Sequence, residues 1–210
     1  MVVSDPQFAG KEDNSVLKTY LIGAALLACG ALATMGAVSA AEEGDQRAIA
    51  KDYYVDCQHR VAARFRAKPA MRDLQYSEGG KMFPAREYHL EQGMDRFSVT
   101  VVDFTKGPAA ADTIVENAVA PFRKLGDIQE QQPEDYAPGL PGRQLVIFTP
   151  DSRQHRVTIY MANHRLYISD AFTARGDYGA LQFDQSVVII GPDGADQNNF
   201  VSSLRYPCGK

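Results

Sequence analysis

An uncharged stretch near the amino terminus constrains this chain more than any other feature of its sequence. Thr19–Ala41 contains no charged residue, Lys18 precedes it, and three acidic residues follow it within four positions. A basic edge before an apolar segment and an acidic edge after it direct the rest of the chain across a membrane. We therefore expect residues 1–40 to be a signal segment and the folded domain to be exported.

The end of this stretch has the pattern of a signal-peptidase site. Val38–Ala40 presents small side chains at the two positions that the peptidase requires, which predicts cleavage between Ala40 and Ala41. Two alternatives remain open. The stretch is long enough to stay as an inner-membrane anchor, although 11 of its 23 residues are alanine or glycine. Leu26–Cys29 also resembles a lipobox, in which Cys29 would be acylated.

The rest of the chain has the size and composition of one soluble domain. The protein has 210 residues, of which 45% are hydrophobic and 23% are charged, and its net charge is −4. This mildly acidic balance gives no electrostatic reason to bind nucleic acid. Since no repeat or long linker follows residue 45, we expect a lead-in at 41–57 and a single domain at 58–206.

Most of the domain has the periodicity of strands. Residues 60–68 alternate between apolar and basic side chains, which predicts a half-buried strand that Pro69 ends. Runs rich in β-branched and aromatic residues predict seven more strands, at 72–77, 83–91, 97–104, 143–149, 156–161, 165–172 and 186–190.

One segment has the periodicity of a helix. An apolar stripe from Ala111 to Leu125 predicts a helix that Pro121 kinks or ends early. A short helix is expected at the start of residues 46–57 and another at 200–206. Irregular loops are expected at 127–142 and 173–185.

The order of these elements predicts an α+β fold. We expect a mostly antiparallel sheet with one central helix and a short C-terminal helix packed on it. The helix residues expected to pack on the sheet are Ile114, Val115, Val119 and Phe122, and those expected to meet them are Phe97, Val99 and Val101.

Several short runs resemble the PsbP-like superfamily, in particular its small exported bacterial proteins of unassigned function. The runs are 59–69 (HRVAARFRAKP), 97–104 (FSVTVVDF) before a helix, 139–143 (GLPGR), 163–168 (NHRLYI) and 200–205 (FVSSLR). The family strand usually reads F-x-V-x-F-P-x-x-P, whereas here Arg66 replaces the first proline and Ala63 the valine. The resemblance implies an α+β fold over residues 58–206. It also implies an accessory role on a larger complex, as in known members of the family.

Catalytic and cofactor motifs are absent from the sequence. It contains no H-E-x-x-H, G-x-S-x-G, C-x-x-C, G-x-G-x-x-G or Walker pattern, and its four histidines lack metal-ligand spacing. Residues 191–199 are rich in oxygen ligands but lack the spacing of a calcium loop, so a turn is expected there. We therefore predict no catalytic residue, no metal and no cofactor.

A cluster of basic residues is the most promising binding surface of the sequence. Its members are Arg60, Arg64, Arg66, Lys68 and Arg72. Such a stripe could contact an anionic envelope component or an acidic envelope protein. Alternatively, its charges only protect a sheet edge from aggregation.

The cysteines predict a disulfide bond. If Cys29 leaves with the signal segment, Cys57 and Cys208 remain near the two ends of an exported domain. The ends of compact domains often lie close together, so we expect these two cysteines to be bridged in an oxidising compartment. The alternative is two unrelated thiols.

These observations favour a periplasmic or extracellular accessory or binding protein without catalytic activity, whose partner is unknown. A second hypothesis is a structural subunit of an envelope complex, anchored in the inner membrane by residues 19–41 and facing the periplasm. A third is a hydrolase whose unrecognised site would gather Asp103, His89 or His155 in a polar pocket.

Overall fold

The computed structural model describes residues 52–107, 110–198 and 205–208. The expected signal segment, its cleavage site at Ala40 and Ala41, and Cys29 lie outside these ranges. Most of the helices expected at 46–57 and 200–206 also lies outside them. Arg205, at the end of the second, forms an isolated β-bridge with Ala195.

The main element of the described domain is a seven-stranded sheet. Its strands are β3 Ala70–Glu78, β4 Lys81–Gln92, β5 Asp95–Asp103, β6 Asp127–Pro133, β7 Gly142–Phe148, β8 Arg153–Ala162 and β9 Arg165–Ala174. They are arranged in the order β3-β4-β5-β9-β8-β7-β6, and all neighbouring strands are antiparallel. The β3–β4 turn contains Gly79 and Gly80 at φ 55° and 76°, the left-handed backbone that a tight hairpin requires. The strands expected in β3, β4, β5, β7, β8 and β9 are confirmed.

A second, smaller sheet contains β1 Tyr54–Asp56, β2 Val61–Ala63 and β10 Val188–Ile189 in the order β1-β2-β10. The strand expected at 60–68 therefore ends at Ala63, and the prediction is wrong for the rest of that range. All three residues of β2 are buried, because Val61 and Ala63 join one hydrophobic cluster and Ala62 joins another. The lead-in expected at 41–57 thus contributes β1 to the folded domain.

Two α-helices lie within the described ranges. Helix α1 is Ala111–Val119, and Pro121 precedes a 3₁₀ turn at Phe122–Lys124, so the helix ends early as the proline predicts. Helix α2, Tyr178–Asp184, lies in a segment expected to be a loop, and the Asp177 side chain accepts a hydrogen bond from the Gly179 amide (2.7 Å) at its start. Within these ranges, no helix is long and apolar enough to cross a membrane.

The loop expected at 127–142 is also partly wrong, because it contains β6. Every residue of this edge strand is exposed, so it has no apolar face to give a strand pattern.

Both faces of the main sheet are covered. Helix α1 packs on one face, where Ile114 and Val115 lie in a cluster with Val102 and Phe104. On the other face, β2 and α2 contribute Val61 and Phe183 to a second cluster. The described fold is therefore α+β with mostly antiparallel sheets.

One packing prediction is corrected by this arrangement. Phe97, Val99 and Val101 lie in the cluster on the α2 face, not beneath α1. Strand β5 has buried residues on both faces, since Phe97, Val99 and Val101 lie on the α2 face and Ser98 and Val102 on the α1 face. Its alternation therefore does not indicate which side faces α1. The helix residues Ile114, Val115 and Val119 are buried as expected, whereas Phe122 is only half-buried.

This difference in burial predicts a difference in stability. Ile114 is 1% exposed, so Ile114→Ala is expected to lower the free energy of unfolding by about 2–5 kcal/mol. Phe122→Ala is expected to cost only about 1–2 kcal/mol, because the side chain is only partly buried. Urea unfolding of both variants measures the two losses. A larger loss for Phe122 than for Ile114 would contradict the packing of α1 described here.

Candidate functional site

The structure separates the five basic residues that the sequence predicts as one surface. Arg64 and Arg66 line the same small cavity, of about 70 Å³. Arg72 lies on β3, on the face that α1 covers in part, and pairs with Glu87. Lys68 is exposed and Arg60 is half-buried, and neither lines this cavity. Only two of the predicted residues are thus brought together.

We call the cavity of Arg64 and Arg66 the arginine notch. Its other lining residues are Phe97, Gly179, Gln182 and Phe183. The two arginines follow β2, and the Arg64 amide donates a hydrogen bond to Ser186 Oγ at 3.0 Å. That contact holds the backbone where it leaves the small sheet.

Aromatic rings hold both guanidinium groups of the notch. The Arg66 guanidinium carbon is 5.4 Å from the centre of the Phe97 ring, and that of Arg64 is 5.1 Å from the Tyr53 ring. A Cβ atom at Gly179 would overlap Nη2 of Arg66, so glycine permits this close approach. Among the described residues, no carboxylate lies within ion-pair distance of either guanidinium.

The chemistry of the notch is that of an anion-recognition surface. A guanidinium carries five N–H donors and forms paired hydrogen bonds with carboxylate or phosphate oxygens. Here each of two such groups lies over an aromatic ring, and neither has a carboxylate within 4.0 Å in the described part of the chain. The residue types were visible in the sequence. Their shared cavity depends on α2, which the sequence did not predict.

A larger cleft lies on the opposite face of the sheet, beside the end of α1, and has a volume of about 540 Å³. We call it the sheet cleft. Its polar lining residues are Arg72, Tyr76, Glu87, His89, Glu91, Arg96, Ser98, Thr100 and Asp170. Alternating polar residues at 87–91 and 96–100, within strands otherwise rich in apolar residues, are the sequence signal that could have located it.

The sheet cleft gathers only one of the three residues that the hydrolase hypothesis names. His89 lines it, whereas Asp103 lies in a separate groove with Lys81 and Lys106. His155 is buried, and its Nδ1 lies 2.8 Å from Asp170 Oδ1.

The groups inside the sheet cleft do not form a nucleophile–base pair. His89 and Ser98 are cross-strand neighbours, but Ser98 Oγ donates instead to the Asp170 carbonyl at 3.5 Å. Nδ1 of His89 is buried, and within the described residues it has no hydrogen-bond partner. The residues at the cleft floor belong to paired strands. Their backbone amides form the hydrogen bonds between these strands and do not form an oxyanion hole. The cleft therefore offers a binding surface of paired charges.

The predicted disulfide bond is present. Cys57 and Cys208 are bonded, with 5.1 Å between their Cα atoms and 151 positions between them in sequence. The bond joins the segment after β1 to the last described residues. Beside it lies a small cluster that contains Ala62, Val188 and Tyr206.

Comparison with known proteins gives structural neighbours only. No family model matches the sequence. No curated protein matches it either. The solution structure of cyanobacterial PsbP from Synechocystis sp. PCC 6803 is similar with a TM-score of 0.43 and 11% identity, over 65% of this chain and 91% of that one. A Pseudomonas aeruginosa protein of unknown function, described as a putative regulator, is similar with a TM-score of 0.29 and 12% identity, over 52% and 85% of the two chains.

Proposed function

We propose that this protein is an exported accessory protein of the cell envelope, of the PsbP-like kind, that binds an anionic partner through the arginine notch. In this proposal the protein does no catalysis, and its partner is an acidic protein or an anionic envelope component. The observation that carries the proposal is the convergence of Arg64 and Arg66 on one cavity, with no carboxylate oxygen of the described residues within 4.0 Å of either guanidinium.

The contrast with other arginines of the domain supports this role. Among the described residues, eight of them lie within 4.0 Å of a carboxylate oxygen: Arg72, Arg86, Arg96, Arg123, Arg143, Arg153, Arg156 and Arg205. The charge of a paired guanidinium is balanced by its carboxylate, whereas the charges of Arg64 and Arg66 can form charged hydrogen bonds with a ligand. On a protein of net charge −4, a local positive cavity also orients an approaching anionic surface.

The disulfide bond supports the proposed location. Structural disulfides persist in oxidising compartments such as the periplasm and are rare in the cytosol. The Cys57–Cys208 bond therefore agrees with the export that the uncharged stretch at 19–41 predicts. N-terminal sequencing of the mature protein would test cleavage directly, since a start at Ala41 excludes a retained anchor.

We expect the variant Arg64→Glu/Arg66→Glu to lose its partner in a pull-down from the envelope fraction. Each charged hydrogen bond removed is worth about tenfold or more in affinity. The matched control is Lys81→Glu/Lys106→Glu, which makes the same charge change at exposed positions outside the notch. Wild-type capture should weaken as salt is raised, because exposed charges are screened.

Equal loss of the partner in both double variants would show that net charge, not the notch, controls binding. Retention by the notch variant would overturn the proposal, provided that its circular dichroism and thermal melting confirm that it is folded.

A further inference from the structure

A second cavity, lined by tyrosines, lies on the α2 face of the main sheet and has a volume of about 300 Å³. We call it the tyrosine pocket and define it by six residues: Tyr53, Tyr136, Tyr160, Tyr206, Glu134 and Asp196. The rings of Tyr136 and Tyr160 meet edge to face at 4.9 Å, and those of Tyr53 and Tyr206 at 5.7 Å. Two aromatic pairs thus form its walls.

The charge of the tyrosine pocket is negative. Glu134, Asp184 and Asp196 line it, and no lysine or arginine is among its described lining residues. Asp184 already has a cationic partner, since Arg156 Nε donates to it at 3.0 Å. Burial raises the pKa of both Glu134 and Asp196 from its ordinary value. Arg156 offsets part of this burial cost at Glu134, and Asp196 Oδ1 accepts hydrogen bonds from the Tyr136 hydroxyl (2.6 Å) and the Asn198 amide (2.9 Å). A further cation beside the two carboxylates would favour their ionised forms.

Two buried polar atoms in the pocket also lack a partner. Tyr206 is 4% exposed, and its hydroxyl has no hydrogen-bond partner among the residues that the structure describes. Within the same ranges, Oε2 of Glu134 is buried and equally unpaired. Native proteins satisfy nearly all buried polar atoms, so two exceptions lining one cavity point to a ligand. Both oxygens can accept a hydrogen bond, which indicates a ligand with N–H donors.

We infer that the tyrosine pocket binds a protonated primary amine carried on a short alkyl chain, the chemistry of a lysine side chain. Its positive charge matches Glu134 and Asp196, and its three N–H donors suit the unpaired oxygens. The tyrosine rings attract the cation through their π faces and cover its methylene groups. The pocket borders the arginine notch, because the Tyr53 ring in its wall also lies 5.1 Å from the Arg64 guanidinium carbon. The inference does not depend on the proposed function.

The test measures the binding of three small probes to the mature protein by NMR or calorimetry. n-Butylammonium has the proposed charge, donors and alkyl chain, 1-butanol lacks the charge, and tetramethylammonium lacks the N–H donors. We expect saturable binding of n-butylammonium, with shifts at the pocket tyrosines. Both other probes should bind at least about tenfold more weakly, because 1-butanol lacks the charge and the N–H donors and tetramethylammonium lacks the N–H donors and the butyl chain.

Two conservative variants locate the site. Glu134→Gln removes a charge with little change of shape, and Tyr206→Phe removes only the unpaired hydroxyl. Each is expected to weaken n-butylammonium binding by about fivefold or more. The matched controls are Glu91→Gln in the sheet cleft and Tyr178→Phe on an exposed tyrosine, and both should bind as the wild type does.

Several results would overturn the inference. Equal affinity for 1-butanol would show a purely apolar cavity, and tighter binding of tetramethylammonium would exclude the role of N–H donors. Absence of saturable n-butylammonium binding would reject the site itself. If one pocket variant has a melting temperature well below that of the wild type, its binding result is set aside. The other variant and the three-probe comparison on the wild type then test the site.

Discussion

Replacing Cys57 and Cys208 with serine is expected to lower the free energy of unfolding by about 5 kcal/mol. The bond closes a loop of 151 positions, and in the chain-entropy model a loop of this length gives a loss of that size. The effect acts on the unfolded chain, because the open form gains conformations that the bridged form cannot reach. A loss of this size is a large part of the stability of a typical domain.

Urea unfolding of the wild type and the double serine variant measures this loss. Reductant should destabilise the wild type to the level of the variant and leave the variant unchanged, which controls for the serine substitutions. A loss below about 1 kcal/mol would show that the bond adds nothing to the contacts around it. The small sheet should be the first part affected, because Tyr206 and Cys208 pack there with Ala62 and Val188.

The strands that could be predicted from the sequence are those in which apolar residues either alternate along the strand or form a continuous buried run. Strands β4, β5, β7, β8 and β9 all belong to this class. The hydrophobic pattern did not predict β6, because a fully exposed edge strand has no hydrophobic period. The pattern did not predict α2 either, since seven residues are too few to show a helical stripe.

Side-chain direction was predicted less well than secondary structure. Alternation placed Arg64 and Arg66 on one strand face, whereas the strand ends at Ala63 and the two arginines meet beside α2. Arg72 was grouped with them, yet it lies on the opposite face of the sheet and is paired with Glu87. A one-dimensional pattern cannot show which face of a doubly covered sheet a neighbour approaches.

The disulfide bond could be predicted because the argument needs only three things: two cysteines in the domain, an oxidising compartment and domain ends that lie close together. The tyrosine pocket was not, because its residues come from segments far apart in the chain, including Tyr53, Tyr136 and Tyr206. Each of these residues alone has an ordinary sequence context. Only the packing of the small sheet and α2 against the main sheet brings them together.

Asp184 is a further residue that no sequence pattern identified, and it organises the polar contacts beneath α2. It is 8% exposed and accepts hydrogen bonds from side chains on three strands of the main sheet. The donors are Gln144 on β7, Arg156 and Thr158 on β8, and Ser169 on β9. Its position at the end of α2 therefore fixes that helix on the sheet.

Asp184→Ala is expected to lower the free energy of unfolding by about 3–5 kcal/mol, because it leaves the Arg156 charge and three buried donors without their acceptor. The matched control is Asp177→Ala, which removes a carboxylate from the other end of the same helix. That residue caps α2 through the Gly179 amide, so its loss should cost only about 1 kcal/mol. Urea unfolding of both variants gives the comparison. Equal losses would mean that α2 is held by its apolar contacts, Ala180 and Phe183, and not by the Asp184 network.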